Sequence, residues 1–264
     1  MKLLDTIYQH KLLEIREQKK LYSTVQLEKS LFFEMPCISL NDAVNDPKGS
    51  GIIAEFKRKS PSKGNINIDA DAEKVTLGYI QSGASALSVL TDETFFGAKK
   101  TDFENARKVN ECPILRKDFI LDEYQIIEAK AMGADAILLI ASILTPKKIK
   151  QLIEFAQQFG LEVLLETHTE AEILSNIDTK ANLVGINNRN LDTFEVDFEN
   201  SMRLAEILPN NVTKIAESGI DSAAAIALLK KNGFAGFLIG EYFMRHSDPV
   251  LQCATLIKQL SDEN

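Results

Sequence analysis

The chain has 264 residues, of which 45% are apolar and 26% charged, the balance of an ordinary soluble globular protein. Its 38 acidic and 30 basic residues give a net charge of −8, which argues against a general nucleic-acid binder because such proteins present a basic surface. The sequence has no apolar run typical of a membrane helix or a signal peptide. Its three separated cysteines favour a reduced, cytoplasmic protein without a disulfide or zinc framework.

The first 45 residues precede the main pattern and contain a long amphipathic helix. Its apolar positions are Leu4, Ile7, Leu12, Ile15 and Leu21. A face of this kind must be covered, and we expect it to rest on the surface of the domain that follows. The alternative is an interface between copies of the chain, so both a monomer and a weak homodimer stay open.

Eight short apolar runs follow, several of them apolar nearly throughout, as in strands that are buried on both faces of a parallel sheet. They span residues 52–56, 86–91, 113–119, 136–140, 162–167, 183–187, 213–218 and 236–240. Segments with helical periodicity separate them. One such helix begins at Thr145 and Pro146 and ends at Gly160, and another runs from an N-cap at Asp221 to Gly233.

This alternation predicts a closed (β/α)8 TIM barrel with an extra N-terminal helical segment. We expect a single domain over residues 1–264, with residues 1–45 as the extension and residues 50–258 as the barrel. An open doubly wound sheet has the same local pattern. It would normally carry GxGxxG after its first strand, where this chain has KRKSPSKG.

Polar and charged side chains collect at the carboxyl ends of the predicted strands, where a TIM barrel has its active site. These strand ends carry Glu55, Lys57, Lys117, Glu166, Asn187, Arg189 and Glu217. Alternation places Glu55 and Lys57 on one face of the first strand. Because unpaired charges are costly in a barrel mouth, Lys57 and Lys117 should pair with Glu55 and Glu166 and supply acids and bases for proton transfer.

The last two strand ends predict a phosphate site. Ser218 and Gly219 follow the seventh strand, and Gly240 follows the eighth at the start of a short helix. Glycine lets backbone N–H groups approach an anion closely, and a helix start adds favourable partial charge. Ser60, in the loop after the first strand, could close over the same anion.

Other titratable residues have simpler interpretations. The histidines at positions 10, 168 and 246 lack the spacing of metal ligands, and we interpret His168 as a loop residue after the fifth strand. Asp135 precedes the fourth strand, at the end of the barrel opposite the active site, and is predicted to be a structural acid. No metal or cofactor is expected.

Seven segments together resemble the indole-3-glycerol-phosphate synthase family, in its order and at similar spacing over almost the whole chain. They are EFKRKSPSKG, SVLTDETFFG, LRKDF, VLLETH, GINNRNL, AESGI and FLIGEYFMR. The resemblance implies a carboxy-lyase of tryptophan biosynthesis. Such an enzyme converts 1-(2-carboxyphenylamino)-1-deoxyribulose 5-phosphate to indole-3-glycerol phosphate, releasing carbon dioxide and water, without metal or organic cofactor. It implies a phosphorylated small molecule as substrate and neither nucleic acid nor membrane as partner.

The resemblance also implies a role for each matched residue. The implied catalytic residues are Glu55, Lys57, Lys117, Glu166 and Asn187. Lys117 matches a general acid that protonates the ketone, and the others orient it, stabilise charge or manage the later dehydration. Arg189, like Asn187, matches a residue that contacts the substrate and holds the acids in place. The implied phosphate and carboxylate contacts are Ser60, Ser218, Gly219, Gly240 and the backbone at Glu241, and the implied walls around the aromatic ring are Phe96, Phe119 and Leu138. Which of the two lysines acts in which step stays open.

Two positions depart from the family pattern, and other functions stay open. Tyr242 stands where the family more often has a small residue or serine, and the loop after the second strand reads FFGAKK instead of ending in Gly-Ser. The alternative function is a non-catalytic or differently specific phosphate-binding barrel. A related isomerase would often need a cysteine at a strand's carboxyl end, whereas Cys112 precedes its strand.

Overall fold

A closed parallel barrel forms the centre of the molecule, whose computed structural model describes residues 3–190 and 193–262. Within these ranges, eight strands pair with their neighbours in chain order, and the first closes onto the last. They are β1 (Ile52–Phe56), β2 (Ala86–Leu90), β3 (Ile114–Lys117), β4 (Ala136–Ile140), β5 (Glu162–Thr167), β6 (Leu183–Asn187), β7 (Thr213–Glu217) and β8 (Gly236–Ile239). The predicted TIM barrel with its N-terminal helix is confirmed.

Helices precede the barrel and follow each strand. Before it lie α1 (Leu3–Leu21), α2 (Thr24–Leu27) and α3 (Leu40–Asn45). After the first strands come α4 (Ala72–Gln81), α5 (Glu93–Phe96), α6 (Asp102–Val109), α7 (Glu123–Met132), a 3-10 turn (Ala141–Ile143) and α8 (Pro146–Gln158). The rest are α9 (Glu170–Asn176), α10 (Phe198–Ile207), α11 (Ala223–Lys231), α12 (Glu241–Met244) and α13 (Pro249–Asp262). None of those in the described ranges is long and apolar enough to cross a membrane.

Several predicted boundaries differ from those observed. The predicted strands over residues 86–91, 113–119, 213–218 and 236–240 are each shorter in the structure. Thr145 does cap α8, but the N-cap of α11 is Ser222 and not Asp221. A short antiparallel hairpin of Lys59–Ser60 with Gly64–Asn65 was not predicted. The single domain over residues 1–264 stays a prediction, and residues 1–2, 191–192 and 263–264 of that range lie outside the described residues.

Alternation along the strands sorts side chains between the barrel interior and the surrounding helices. Ile52 and Ala54 pack in the outer cluster with the helices, whereas Ile53 belongs to the inner cluster. The inner cluster also holds Leu115, Leu164, Leu183, Ile215 and Leu238. Two residues further along each strand, the inward positions are Glu55, Lys117, Glu166, Gly185, Glu217 and Gly240. An apolar floor therefore lies beneath a ring of charged residues and glycines.

The N-terminal extension covers both ends of the barrel. Leu40 and Val44 of α3 join the inner cluster from the amino ends of the strands, and Ser39 beside them donates to Glu162 at the start of β5. Ile7 of α1 joins it from the carboxyl ends. The expectation that the extension rests on the barrel is confirmed. At the amino ends, Asp135 accepts from the backbone N–H of Ile114, as its structural interpretation predicted.

The buried face of α1 differs from the predicted one. Leu12 and Leu21 are 41% and 64% exposed, and the buried row runs through Ile7, Lys11 and Ile15. The Nζ of Lys11 lies 2.9 Å from a carboxylate oxygen of Asp92, in the loop after β2, and 2.9 Å from one of Asp118, just after β3.

Carboxylates compensate the burial of Lys11. Burial alone would lower the pKa of the Lys11 ammonium, but Asp118, Asp92 and Glu14 outweigh it and raise that pKa. Lys11 also holds Asp118 as a carboxylate, whose pKa is lowered to about 2 against the opposing effect of burial. A charge, and not an apolar contact, thus fixes the middle of α1 to the barrel.

We expect Lys11→Met to lower the free energy of unfolding by about 3–5 kcal/mol, because buried Asp92 loses its ion pair and Asp118 keeps only Arg116 as a cation. Lys19→Met on the same helix is the matched control. It removes an exposed ion pair with Asp122 and should cost less than about 1 kcal/mol. Urea denaturation of the three proteins measures both values. Equal losses in the two variants would contradict the assignment of Lys11 as the anchor.

Candidate active site

A cavity of about 460 Å³ opens at the carboxyl ends of the strands, beside α1. Its volume is within the range of small-molecule sites. It is lined by every residue predicted for the site, namely Glu55, Lys57, Ser60, Phe96, Lys117, Phe119, Leu138, Glu166, Asn187, Arg189, Ser218, Gly219, Gly240 and Glu241. The barrel thus brings together residues that lie up to 186 positions apart in the chain. Their individual roles stay predictions.

Lys117 is surrounded by three carboxylates. Its Nζ lies 3.1 Å from Oε2 of Glu217, 3.7 Å from Oε2 of Glu55 and 3.7 Å from Oε2 of Glu166. Burial alone would lower the pKa of the Lys117 ammonium, but Glu217, Glu55 and Glu166 outweigh burial and raise it above its ordinary value. The site therefore holds a buried ammonium ion beside the cavity.

A second lysine neutralises the carboxylate of β1. The Nζ of Lys57 lies 2.7 Å from Oε1 of Glu55, as expected for two residues on one face of the strand. Burial would raise the pKa of Glu55, but Lys57 and Lys117 lower it below its usual range. Glu55 is therefore an anion shared between two ammonium groups.

Asn187 holds the carboxylate of β5. Its Nδ2 donates to Oε1 of Glu166 at 3.0 Å, while its own Oδ1 accepts from the backbone N–H of Arg189 at 3.0 Å. The amide is thereby fixed with its NH2 group toward Glu166. His168 also contacts Glu166, which its interpretation as a loop residue did not anticipate.

Glu217 was noted as a strand end but not chosen as a site residue. The signal was present, because Glu217 follows the inward Ile215 by two positions, just as Glu166 follows Leu164. Burial raises the pKa of Glu217 to about 7, with Glu166 adding to this effect and Lys117 opposing it. Three carboxylates face two lysines here, and Glu217 is the one that takes up the extra proton most easily.

Two glycines make room for these carboxylates. A Cβ built on Gly185 would overlap Oε1 of Glu217, and one built on Gly240 would overlap Oε1 of Glu55. Gly240 was predicted as an anion contact, and the structure gives it this second function. The sequence pattern identifies Gly185 only as part of a strand, because the space it leaves for Glu217 depends on the neighbouring strand.

The other end of the cavity joins the ends of β7 and β8 to the hairpin after β1. Ser218 and Gly219 both have positive φ angles, 69° and 74°, so the chain turns sharply where β7 ends. Arg189 reaches across, donating to the hydroxyl of Ser62 at 3.2 Å and to a carboxylate oxygen of Glu241 at 3.0 Å. One guanidinium therefore bridges the hairpin to the start of α12.

Apolar residues form one wall of the cavity. The rings of Phe96 and Phe119 lie 6.0 Å apart in a tilted arrangement, and Leu138 of β4 lies in the inner cluster with Phe119. Ile7 of α1 lines the same cavity. This wall suits a flat apolar or aromatic group.

Tyr242, the departure from the family pattern, also lines the cavity. Its ring lies 5.1 Å from the guanidinium carbon of Arg245, a second arginine in the lining, which no sequence pattern singled out. In the described ranges no three His, Cys, Asp or Glu side chains form a group that could hold a metal ion.

Comparisons with known proteins agree with this geometry. The sequence model of indole-3-glycerol phosphate synthase matches residues 4–256. The indole-3-glycerol phosphate synthase of Bacteroides thetaiotaomicron is 48% identical, covering 94% of this chain and 94% of its own. That of Campylobacter jejuni subsp. doylei is 40% identical, covering 93% and 96%. Among solved structures, thiamine phosphate pyrophosphorylase from Pyrococcus furiosus covers 85% of this chain and 98% of its own with a TM-score of 0.61. At 15% identity, it shows only a shared fold.

We expect Glu217→Gln to remove a pH dependence of stability. The raised pKa of Glu217, about 7 against 4.5 for an ordinary glutamate, means that the folded protein binds this proton more tightly than the unfolded chain does. Wild-type stability should therefore fall as the pH rises from 4.5 to 7. The variant should lack the contribution of Glu217, show a smaller fall than the wild type and exceed its stability above pH 7 by about 1–3 kcal/mol.

Urea denaturation at several pH values between 5 and 8 measures the effect, with the exposed Glu111→Gln as control. The control should keep the wild-type slope. If Glu217→Gln keeps it too, Glu217 does not carry the extra proton.

Proposed function

The chain belongs to the indole-3-glycerol phosphate synthase family, and we propose that it carries out the family's ring closure with Lys117 as the proton donor. It is a lyase of tryptophan biosynthesis. The substrate is 1-(2-carboxyphenylamino)-1-deoxyribulose 5-phosphate, and the products are indole-3-glycerol phosphate, carbon dioxide and water. The alternative, a non-catalytic or differently specific barrel, is not favoured because the family match extends over the chain and the charged cluster is complete.

The single observation that carries the assignment is the set of three carboxylates around the Lys117 ammonium group, those of Glu55, Glu166 and Glu217, which we call the carboxylate cage. Ring closure develops negative charge on the ketone oxygen of the substrate as the ring carbon that bears the carboxylate attacks the ketone carbon. A positioned ammonium group can donate a proton to that oxygen. The three carboxylates keep Lys117 charged before the substrate arrives.

The carboxylates serve the later steps in this proposal. Carbon dioxide leaves from the carbon that has formed the new bond, and its bonding electrons restore the aromatic ring. Loss of water then needs an ammonium group to protonate the departing hydroxyl and a base to take a proton from the adjacent carbon, next to the nitrogen. Glu166, held by Asn187, is placed to accept that proton. The carboxylate of Glu55 stabilises the positive charge that develops on the nitrogen and orients Lys117, while Lys57 holds Glu55 in place.

The anionic end of the substrate is assigned to the turn after β7, the start of α12 and the hairpin. Ser218, Gly219, Gly240 and the backbone at Glu241 supply N–H groups there, and Ser60 lies in the hairpin. Arg189 supplies the positive charge. The aromatic ring is assigned to the wall of Phe96, Phe119 and Leu138.

We also propose that the enzyme works in the cytoplasm as a monomer or a weak homodimer. Residues of one chain line the cavity on several sides, which supports activity without a partner subunit. The three cysteines are free thiols, which supports a reducing compartment.

Lys117→Met should reduce kcat by at least about 100-fold, because it removes the proton donor while keeping much of the side-chain volume. Formation of indole-3-glycerol phosphate is followed spectroscopically, without added metal or cofactor. Lys108→Met, which removes only an exposed lysine paired with Glu104, is the control and should keep wild-type turnover. Absence of turnover in the folded wild type, or kcat of Lys117→Met within a few-fold of it, would overturn the proposal.

Arg189→Lys should raise KM by about tenfold and change kcat much less. A lysine ammonium cannot reproduce the two-sided contact of the guanidinium with Ser62 and Glu241. Steady-state kinetics over a range of substrate concentrations separate the two constants. A fall in kcat at constant KM would instead place Arg189 in the chemical step.

A further inference from the structure

His168, in the loop after β5, contacts a proposed catalytic carboxylate without lining the cavity. Its Nε2 lies 3.3 Å from Oε1 of Glu166, and its Nδ1 lies 3.8 Å from Oε2 of Glu172 on α9. The side chain is only 12% exposed. Glu166 lines the cavity and His168 does not, so the imidazole contacts Glu166 from outside the cavity.

The two carboxylates favour the charged form of this imidazole. A neutral ring has one nitrogen without a proton, and here that nitrogen would present its lone pair to a carboxylate oxygen. Within the described residues neither buried ring nitrogen makes a hydrogen bond of good geometry, so no donor compensates such a repulsion. An imidazolium carries an N–H at both positions and is attracted by both carboxylates.

The groups around His168 set the pH range of that charge. Carboxylates face it from three elements: Glu172 on α9, Glu166 on its own strand and Glu217 on β7. Burial alone would lower the pKa of His168, but these carboxylates outweigh it and raise the pKa above 6.5. Lys117 pairs with two of the same carboxylates from the side of the cavity.

The start of α9 fixes the position of the ring. Oε2 of Glu172 accepts the backbone N–H of His168 at 2.6 Å and that of Thr169 at 3.3 Å, as part of the capping box that begins the helix. The backbone of His168 is thereby tied to a rigid element. Its ring can then restrain Glu166 from behind, while Asn187 holds the same oxygen from the side.

We propose that His168 is a positioning residue for Glu166, whose imidazolium form holds that carboxylate in place as an anion between Asn187 and Lys117. The proposal rests on the proposed function of Glu166. As the pH rises and the imidazolium loses its proton, the restraint on Glu166 weakens and the rate of the chemical step falls. The substrate contacts do not change.

The first test needs no turnover. The chain has three histidines, so NMR titration of the imidazole signals is simple to assign, and His168→Gln identifies the signal of His168. In Glu166→Gln, the pKa of His168 should fall, because a carboxylate that stabilises the imidazolium has been removed. An unchanged pKa would overturn the proposal even if the enzyme is active.

The second test uses the ratio of wild-type kcat to that of His168→Gln across the pH range, in which ionisations of the substrate cancel. The ratio should be about 3–10 at pH 6, the size of one charge-assisted contact, and should fall as the pH rises through the pKa of His168. KM should stay the same. The control is His10→Gln, whose ring packs on Phe95 in α5, with a ratio near one at every pH.

The two tests also separate the proposals from one another. A ratio for His168→Gln that is constant with pH would mean a purely structural effect and would overturn the positioning role. Loss of the Lys117 assignment would appear in the Lys117→Met kinetics and would leave the NMR titration unaffected.

Discussion

A buried ammonium ion among three carboxylates is the interaction on which the site depends. The barrel interior is narrow and apolar at its floor, so the charges at its mouth must neutralise one another. Lys117 meets Glu55, Glu166 and Glu217 because each lies two residues beyond an inward apolar residue on its own strand. The same constraint requires glycine at position 185 in β6 and at position 240 just after β8, where a side chain would displace a carboxylate.

A second buried lysine, Lys11, neutralises another pair of carboxylates at the carboxyl ends of the strands. Lys11 is neutralised by Asp92 and Asp118, and Asp118 directly follows Lys117 in the chain. Two consecutive residues therefore belong to two different charged clusters. Lys117, the proposed proton donor, lies in the first, and Asp118, which pairs with Lys11 and so fixes the N-terminal helix beside the cavity, lies in the second. This helix is joined to the site by charge as well as by Ile7 in the inner cluster.

The barrel and fourteen of the residues that line the cavity could be predicted from sequence, because strand alternation is a local rule and the family motifs mark the strand ends. Alternation alone places Glu55 and Lys57 on the same face of the first strand. The burial of Lys11 could not be predicted this way, because a lysine in an amphipathic helix is expected to face solvent and its buried partners, Asp92 and Asp118, lie more than 80 residues away. Gly185 and His168 were missed for a related reason. Gly185 makes room for a side chain of the neighbouring strand, and His168 lies after the end of its strand, where alternation no longer predicts the direction of a side chain. Both contacts depend on the folded barrel.

NMR of nitrogen-15-labelled lysine side chains in the substrate-free protein tests directly whether Lys117 is charged. The spectrum of Lys117→Arg identifies the signal by its loss. The carboxylate cage predicts that the Lys117 Nζ keeps its ammonium chemical shift through pH 10.5, the pKa of an ordinary lysine. A signal that moves to the amine shift below that pH would mean that burial outweighs the carboxylates and would contradict the account.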